Sequence, residues 1–170
     1  MNFARTLPFG LAAIACAALP ASAIAQDQRC VTRAESRAVV AHLMPSLLAS
    51  VERRCASQLG AGSFVAREGQ RLARALQPQA QASWPAARRA LERQSGNPLP
   101  NNEALLNFGR QAIADGVANS LDANRCRLTD ELLGQLAPLP PQNLANVFAL
   151  FLEAVLRENR DSPLKVCAAG

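Results

Sequence analysis

Apolar residues recur at intervals of three and four after Thr32: Val39, Val40, Leu43, Leu47, Leu48 and Val51. That spacing places them along one side of a helix. Thr32-Arg33-Ala34-Glu35 reads as its start, a capping box in which the Thr32 and Glu35 side chains satisfy amides that lack a partner inside the helix. Pro45 falls within the pattern and predicts a kink, because proline donates no amide hydrogen and crowds the preceding turn. Gly60 and Gly62 mark the end.

A second stripe joins Val65, Gly69, Leu72 and Leu76, with Arg67, Arg71 and Arg74 on the opposite face. Pro78 predicts a stop, so that "QPQAQASWP" reads as a linker and a separate helix runs from about Pro85 to Gln94. "SGNPLPNN", residues 95–102, reads as a loop. Asn101 or Asn102 then caps a helix bearing Leu105, Leu106, Phe108, Ile113, Val117 and Leu121. Past Cys126, Thr129 is the expected cap of a short helix, with Asp130 and Glu131 suited to the positive end of its dipole. Pro138 to Pro141, "PLPP", is a break. The last segment, about Gln142 to Asn159, is apolar over more than one face, through Leu144, Val147, Phe148, Leu150, Phe151, Leu152, Val155 and Leu156. Such a helix is expected at the centre of a bundle, or else as a surface that docks a partner. It is short for a membrane span and contains Glu153.

Composition supports the helical pattern. Alanine, leucine, arginine and glutamine dominate, tyrosine is absent, and β-branched residues are sparse. The expectation is an all-α fold: a single helical bundle of five or six helices over residues 26–170.

The residues before this bundle read differently. Arg5 is the only charge before Asp27, the stretch from Leu7 to Pro20 is apolar or small, and Ala21-Ser22-Ala23 and Ala23-Ile24-Ala25 are small-x-small patterns. A basic start, a short apolar region and such a site make a secretory signal peptide. Cleavage is expected after Ala25, with Ala23 as the alternative. The rivals are an uncleaved anchor and lipidation of Cys16. Removal leaves one domain with no transmembrane segment, in the periplasm or secreted.

Export changes the meaning of the cysteines. Cys30, Cys55, Cys126 and Cys167 remain, an even number in an oxidising compartment, and two disulfides are expected. Gaps of 25, 71 and 41 residues and a single histidine offer no clustered metal ligands, so neither metal nor cofactor is expected. Some 25 helical residues would hold Cys30 and Cys55 roughly 37 Å apart, whereas a disulfide needs Cα atoms about 4.4–6.8 Å apart. That excludes Cys30–Cys55 unless the helix breaks fully at Pro45. An up-down count of the predicted helices then favours Cys30–Cys126 with Cys55–Cys167.

Candidate chemistry is thin. His42, the one histidine, lies beside the apolar stripe of the first helix, where a structural role outweighs catalysis. "GAGS", residues 60–63, lacks the strand and the GK[ST] sequence of a phosphate loop and reads as a turn joining helices. Trp84 is expected to cap the core.

Charge is the uneven feature. Without Arg5 the chain carries 17 basic against 13 acidic residues, a net +4. Arg67, Arg71, Arg74, Arg88, Arg89 and Arg93, against Glu68 and Glu92, concentrate the same +4 between residues 63 and 94. Such a face attracts an acidic protein or an anionic envelope component. Nucleic acid is not expected as a partner: it is a poor candidate outside the cytoplasm, and no aromatic residues interleave for base stacking. The expected role is a non-catalytic binding or structural module. The alternatives are a chaperone or inhibitor acting through apolar surface near Phe148 and Phe151, and an enzyme built on His42.

Overall fold

A computed structural model of the protein describes residues 30–158 and Cys167, with side chains placed up to residue 154 and at Cys167. The predicted signal peptide, its cleavage site and Cys16 lie outside these residues.

Five helices follow one another: α1 (Arg33–Leu59), α2 (Phe64–Ser95), α3 (Glu103–Asn119), α4 (Ala123–Leu136) and α5 (Pro141–Glu158). The described residues contain no strand; one backbone hydrogen bond, from the Cys167 amide to the Val31 carbonyl at 3.0 Å, ties Cys167 to the residue before the α1 cap. The fold is an all-α bundle closed by two disulfides, Cys30–Cys167 and Cys55–Cys126.

The central helix is α1, not the last one. All four other helices pack against it. Its buried residues, among them Val39, Val40, Ala41, Met44, Pro45, Leu48, Ser50, Val51 and Cys55, occupy most of its circumference. The capping box forms as the sequence predicts, with the Thr32 hydroxyl and Glu35 carboxylate each meeting the other's amide. Pro45 does not interrupt the helix. By contrast α5 is two-faced. Leu144, Ala145, Ala149 and Glu153 are buried, while Val147, Leu150 and Phe151 are exposed. Its apolar character exceeds what the bundle covers.

The second correction is α2. It runs unbroken for 32 residues through Pro78 and Pro85, so the predicted linker is helix. At 100° per residue both prolines lie on the solvent side, opposite Val65, Leu72, Leu76, Ala80, Ala87 and Ala90, which are buried. Both are exposed. The carbonyls they leave without a donor therefore face water, which supplies the missing hydrogen bonds, and the proline rings meet no packed neighbour.

α2 runs antiparallel to α1, from Gly69 against Glu52, through Ala80 and Trp84 against His42, to Arg93 against Glu35. At Gly69 the two helices approach so closely that an added Cβ would lie 3.0 Å from the Glu52 Cβ and Cγ. α3 then rises parallel to α1, with Asp115 and Gln111 on Ser50 and the Leu121 carbonyl on Arg54. That delivers Cys126 to the end of the bundle where Cys55 lies. α5 returns to the other end, where Glu153 takes two hydrogen bonds from Arg33, at 3.0 and 3.1 Å, and Cys167 meets Cys30. The expected pairing is thus corrected. Splitting α2 in two adds one helix to the count and places Cys126 at the wrong end. The exclusion of Cys30–Cys55 stands.

α4 begins earlier than predicted. Its cap is Asp122, whose carboxylate accepts the Arg125 amide at 2.8 Å; Thr129 sits inside the helix. Asp130 does meet a helix N-terminus, but that of α2: its carboxylate accepts the Val65 amide at 2.7 Å. Together with the Ser63 cap this completes the "GAGS" turn, which joins two helices.

Candidate functional site

Two surfaces concentrate unusual side chains, and both are built on α2. The first is its outer face. Because α2 is one helix, Arg67, Arg71, Arg74 and Arg89 fall within about 60° of arc, opposite the buried stripe. All four are exposed. Along the axis they span roughly 33 Å. Arg71 bonds Glu68 one turn back at 2.5 Å. Among the described residues Arg67, Arg74 and Arg89 have no carboxylate within ion-pair distance.

Arg88 and Arg93, which the sequence groups with these four, are turned to internal tasks. Arg88 donates to Glu92 at 2.9 Å, to the Leu99 carbonyl at 2.7 Å and to Asn101 at 2.8 Å, and its guanidinium lies 5.9 Å from the centre of the Trp84 ring. The Glu92 carboxylate accepts the Leu99 amide at 3.0 Å. That amide, with Arg88 second, holds Glu92 below its ordinary pKa. The pair shapes the loop between α2 and α3. Arg93 reaches across to Glu35 and to the Cys30 carbonyl. The predicted group of six is therefore an outward row of four and two clasps.

The second surface is a cleft of about 710 Å³ between α2 and α3. α3 meets α1 along its upper part and hardly touches α2, which leaves a gap floored by His42 and Leu43. Gln77, Gln81, Trp84 and Leu91 form the α2 wall, Leu106, Phe108, Arg110 and Ile113 the α3 wall, and Leu99 and Pro100 close one end. Phe108 is 72% exposed and Ile113 53%. Nothing in the sequence marks this cleft, because its two walls come from helices whose separation depends on the path of α3.

At its floor the His42 ring stacks on Trp84, centroids 4.4 Å apart and planes inclined by 26°. His42 Nδ1 lies 3.1 Å from the Ala80 carbonyl. A carbonyl only accepts, so Nδ1 carries the proton and donates. Burial pushes the His42 pKa down; the Ala80 carbonyl opposes this and the charge of Arg110 adds to it. The shift favours the neutral ring, and among the described residues no carboxylate is hydrogen-bonded to it. Trp84 is half-buried and does cover a satellite of the core formed by Val31, Val39, Ala87 and Ala90.

Among the described residues no three or more of His, Cys, Asp and Glu come together as a metal site, and no helix is long and apolar enough to cross a membrane. On α5, Phe151 is 68% exposed, whereas Phe148 packs against the core. The arrangement defines a disulfide-stapled all-α bundle with a cationic helix face and an open cleft. Comparison with protein-family models, with curated proteins and with solved structures finds no match.

Proposed function

We propose that this chain is a non-catalytic binding protein of the cell envelope, exported to the periplasm or beyond, and that the outer face of α2 holds a phosphate-bearing envelope surface. Export is supported by the leader-like first 25 residues and by the two disulfides, which persist where thiols are not kept reduced. The observation that carries the binding reading is the row Arg67, Arg71, Arg74 and Arg89 along a single rigid helix. A guanidinium presents paired N–H donors that match phosphate oxygens, and a row of them acts together. Each basic residue near an anionic lipid surface contributes about 1 kcal/mol.

The test is co-sedimentation with vesicles of phosphatidylglycerol in phosphatidylcholine, at low and high salt. Binding is expected to fall with salt and to vanish when Arg67, Arg71 and Arg74 are all replaced by Glu. Binding indifferent to both treatments would remove the proposal. Salt-sensitive capture by an acidic protein, with none by vesicles, would reassign the row to a protein partner.

A second reading is favoured by Val147, Leu150 and Phe151, exposed on α5: a chaperone or inhibitor that works through this apolar surface. It predicts that Phe151→Ser abolishes suppression of aggregation of an unfolded client and leaves vesicle binding intact.

A further inference from the structure

The arginine row leaves the cleft between α2 and α3 unexplained. We propose that this cleft binds one molecule of an amphiphile with a single apolar chain and a single anionic head, the chain lying along Leu43, Leu91, Phe108 and Ile113 and the head meeting Arg110.

Size comes first. About 710 Å³ falls within the range of sites for small molecules, roughly 300–1,000 Å³. The walls are mainly aliphatic and aromatic, and they are left open at a cost. Phe108, Ile113 and Leu105, the last 54% exposed, all line the cleft. Burying one such side chain is worth about 1.5–3 kcal/mol, so an apolar chain laid against them recovers what the bundle leaves unused. The adjacent amides of Gln77 and Gln81 add hydrogen-bonding groups without charge.

Charge then selects the head. Arg110 is half-buried in the α3 wall and, among the described residues, its side chain bonds only Asn107, one turn back, at 2.5 Å. It has no carboxylate partner among the described residues, unlike Arg33, Arg53, Arg71, Arg88 and Arg93. His42, whose burial favours the uncharged ring and whose Nδ1 is engaged by the Ala80 carbonyl, is no rival anchor for an anion. Glu103, the one carboxylate lining the cleft, stands two turns away along α3, roughly 10 Å. It repels an anionic head from its own end and leaves Arg110 as the anchor. A cationic head would have to settle at exposed Glu103, away from Arg110, and an uncharged head has only the Gln77 and Gln81 amides.

Trp84 supplies the readout. It is the only tryptophan in the chain and it lines the cleft. The experiment titrates the purified protein with hexadecanoate below its micellar concentration and follows Trp84 emission. Parallel arms use hexadecyl phosphate, hexadecanol and hexadecyltrimethylammonium. A saturable one-to-one change is expected with the two anions and much weaker binding with the other two; the stronger anion identifies the head. Arg110→Gln should weaken anion binding by about tenfold or more, the worth of a charge-assisted hydrogen bond, and leave hexadecanol unchanged. Phe108→Ser, at an exposed position that threatens no core contact, should weaken every ligand. The charge reversal of Arg67, Arg71 and Arg74 should leave hexadecanol binding unchanged and keep the anions dependent on Arg110, which separates this site from the vesicle-binding face. The proposal is overturned by the absence of a saturable change, by equal affinity for all four heads, or by an unaltered Arg110→Gln. It is overturned equally by a concentration-dependent dimer that covers Trp84 and ignores the amphiphiles.

Discussion

Arg93, in the last turn of α2, donates to the Glu35 carboxylate in the first turn of α1, Nη2 2.5 Å from Oε2, and so clasps the two longest helices at one end of the bundle. Arg93 is the main reason that the Glu35 pKa falls from 4.5 to about 2; the Thr32 amide and hydroxyl lower it further, against the cost of burial. A carboxyl whose pKa is depressed by folding stabilises the fold above its unfolded pKa and loses that contribution as pH falls through the folded one. The window here is therefore pH 4.5 to 2. Urea unfolding at successive pH values should show a loss of about 1–3 kcal/mol from this group, allowing for solvent screening. Glu35→Gln should be less stable than the parent at neutral pH and flatter across the window. Parallel curves for the two proteins would contradict the clasp.

The prolines of α2 give a prediction of opposite sign. Pro78 and Pro85 are exposed inside a continuous helix, and each denies a hydrogen bond to the carbonyl four residues before it. Restoring the donor by Pro78→Ala or Pro85→Ala should stabilise the protein by about 1–3 kcal/mol, read as a higher Tm. A lower Tm would mean that the prolines themselves shape α2 to fit α1.

Ser50 joins α3 to the central helix. Its hydroxyl is buried and donates to Asp115 at 2.7 Å, while Arg53 and Gln111 donate to the same pair. The Ser50 hydroxyl is also the main cause of the low Asp115 pKa. Ser50→Ala should cost about 1–2 kcal/mol. Amide exchange should accelerate in α3 first, since α3 touches little besides α1. Uniform acceleration over all helices would place the loss elsewhere.

Peptide mapping without reduction should recover Cys30–Cys167 and Cys55–Cys126. Cys55 and Cys126 are fully buried, whereas Cys30 and Cys167 are half-buried. Mild reductant on the native protein should therefore open Cys30–Cys167 first, because exchange requires access to sulfur. Replacing Cys55 and Cys126 by Ala frees a 71-residue span and should cost about 4 kcal/mol in chain entropy, seen in urea unfolding. Simultaneous release of all four thiols would argue against two separate environments.

Local chemistry was readable wherever it acts within a turn or two. The Thr32–Glu35 box and the buried stripe of Val65, Gly69, Leu72 and Leu76 follow from spacing, and the structure selects Asn102 over Asn101 as a cap and Gly60 over Gly62 as an end. What failed was the weight given to Pro78. Its cost depends on whether the freed carbonyl meets water, and that depends on which face packs on α1, a tertiary fact. One false break reversed the direction of every later helix and so exchanged the disulfide partners. The arginine row was legible as a cluster, but the diversion of Arg88 to Leu99 and Asn101 needed the fold of the following loop. The cleft was invisible for the same reason: Arg110 and His42 are 68 positions apart in no periodic relation, and only the docking of α3 brings their fields together.

Both disulfides link the segment before residue 96 to the segment after residue 102. A single proteolytic nick within that exposed connection would therefore yield two polypeptides that still migrate as one molecule until a reductant is added. One polypeptide would carry the floor and α2 wall of the cleft, and the other its α3 wall. The protein is in this sense already divisible into two chains, each incomplete alone and held together at opposite poles of the bundle.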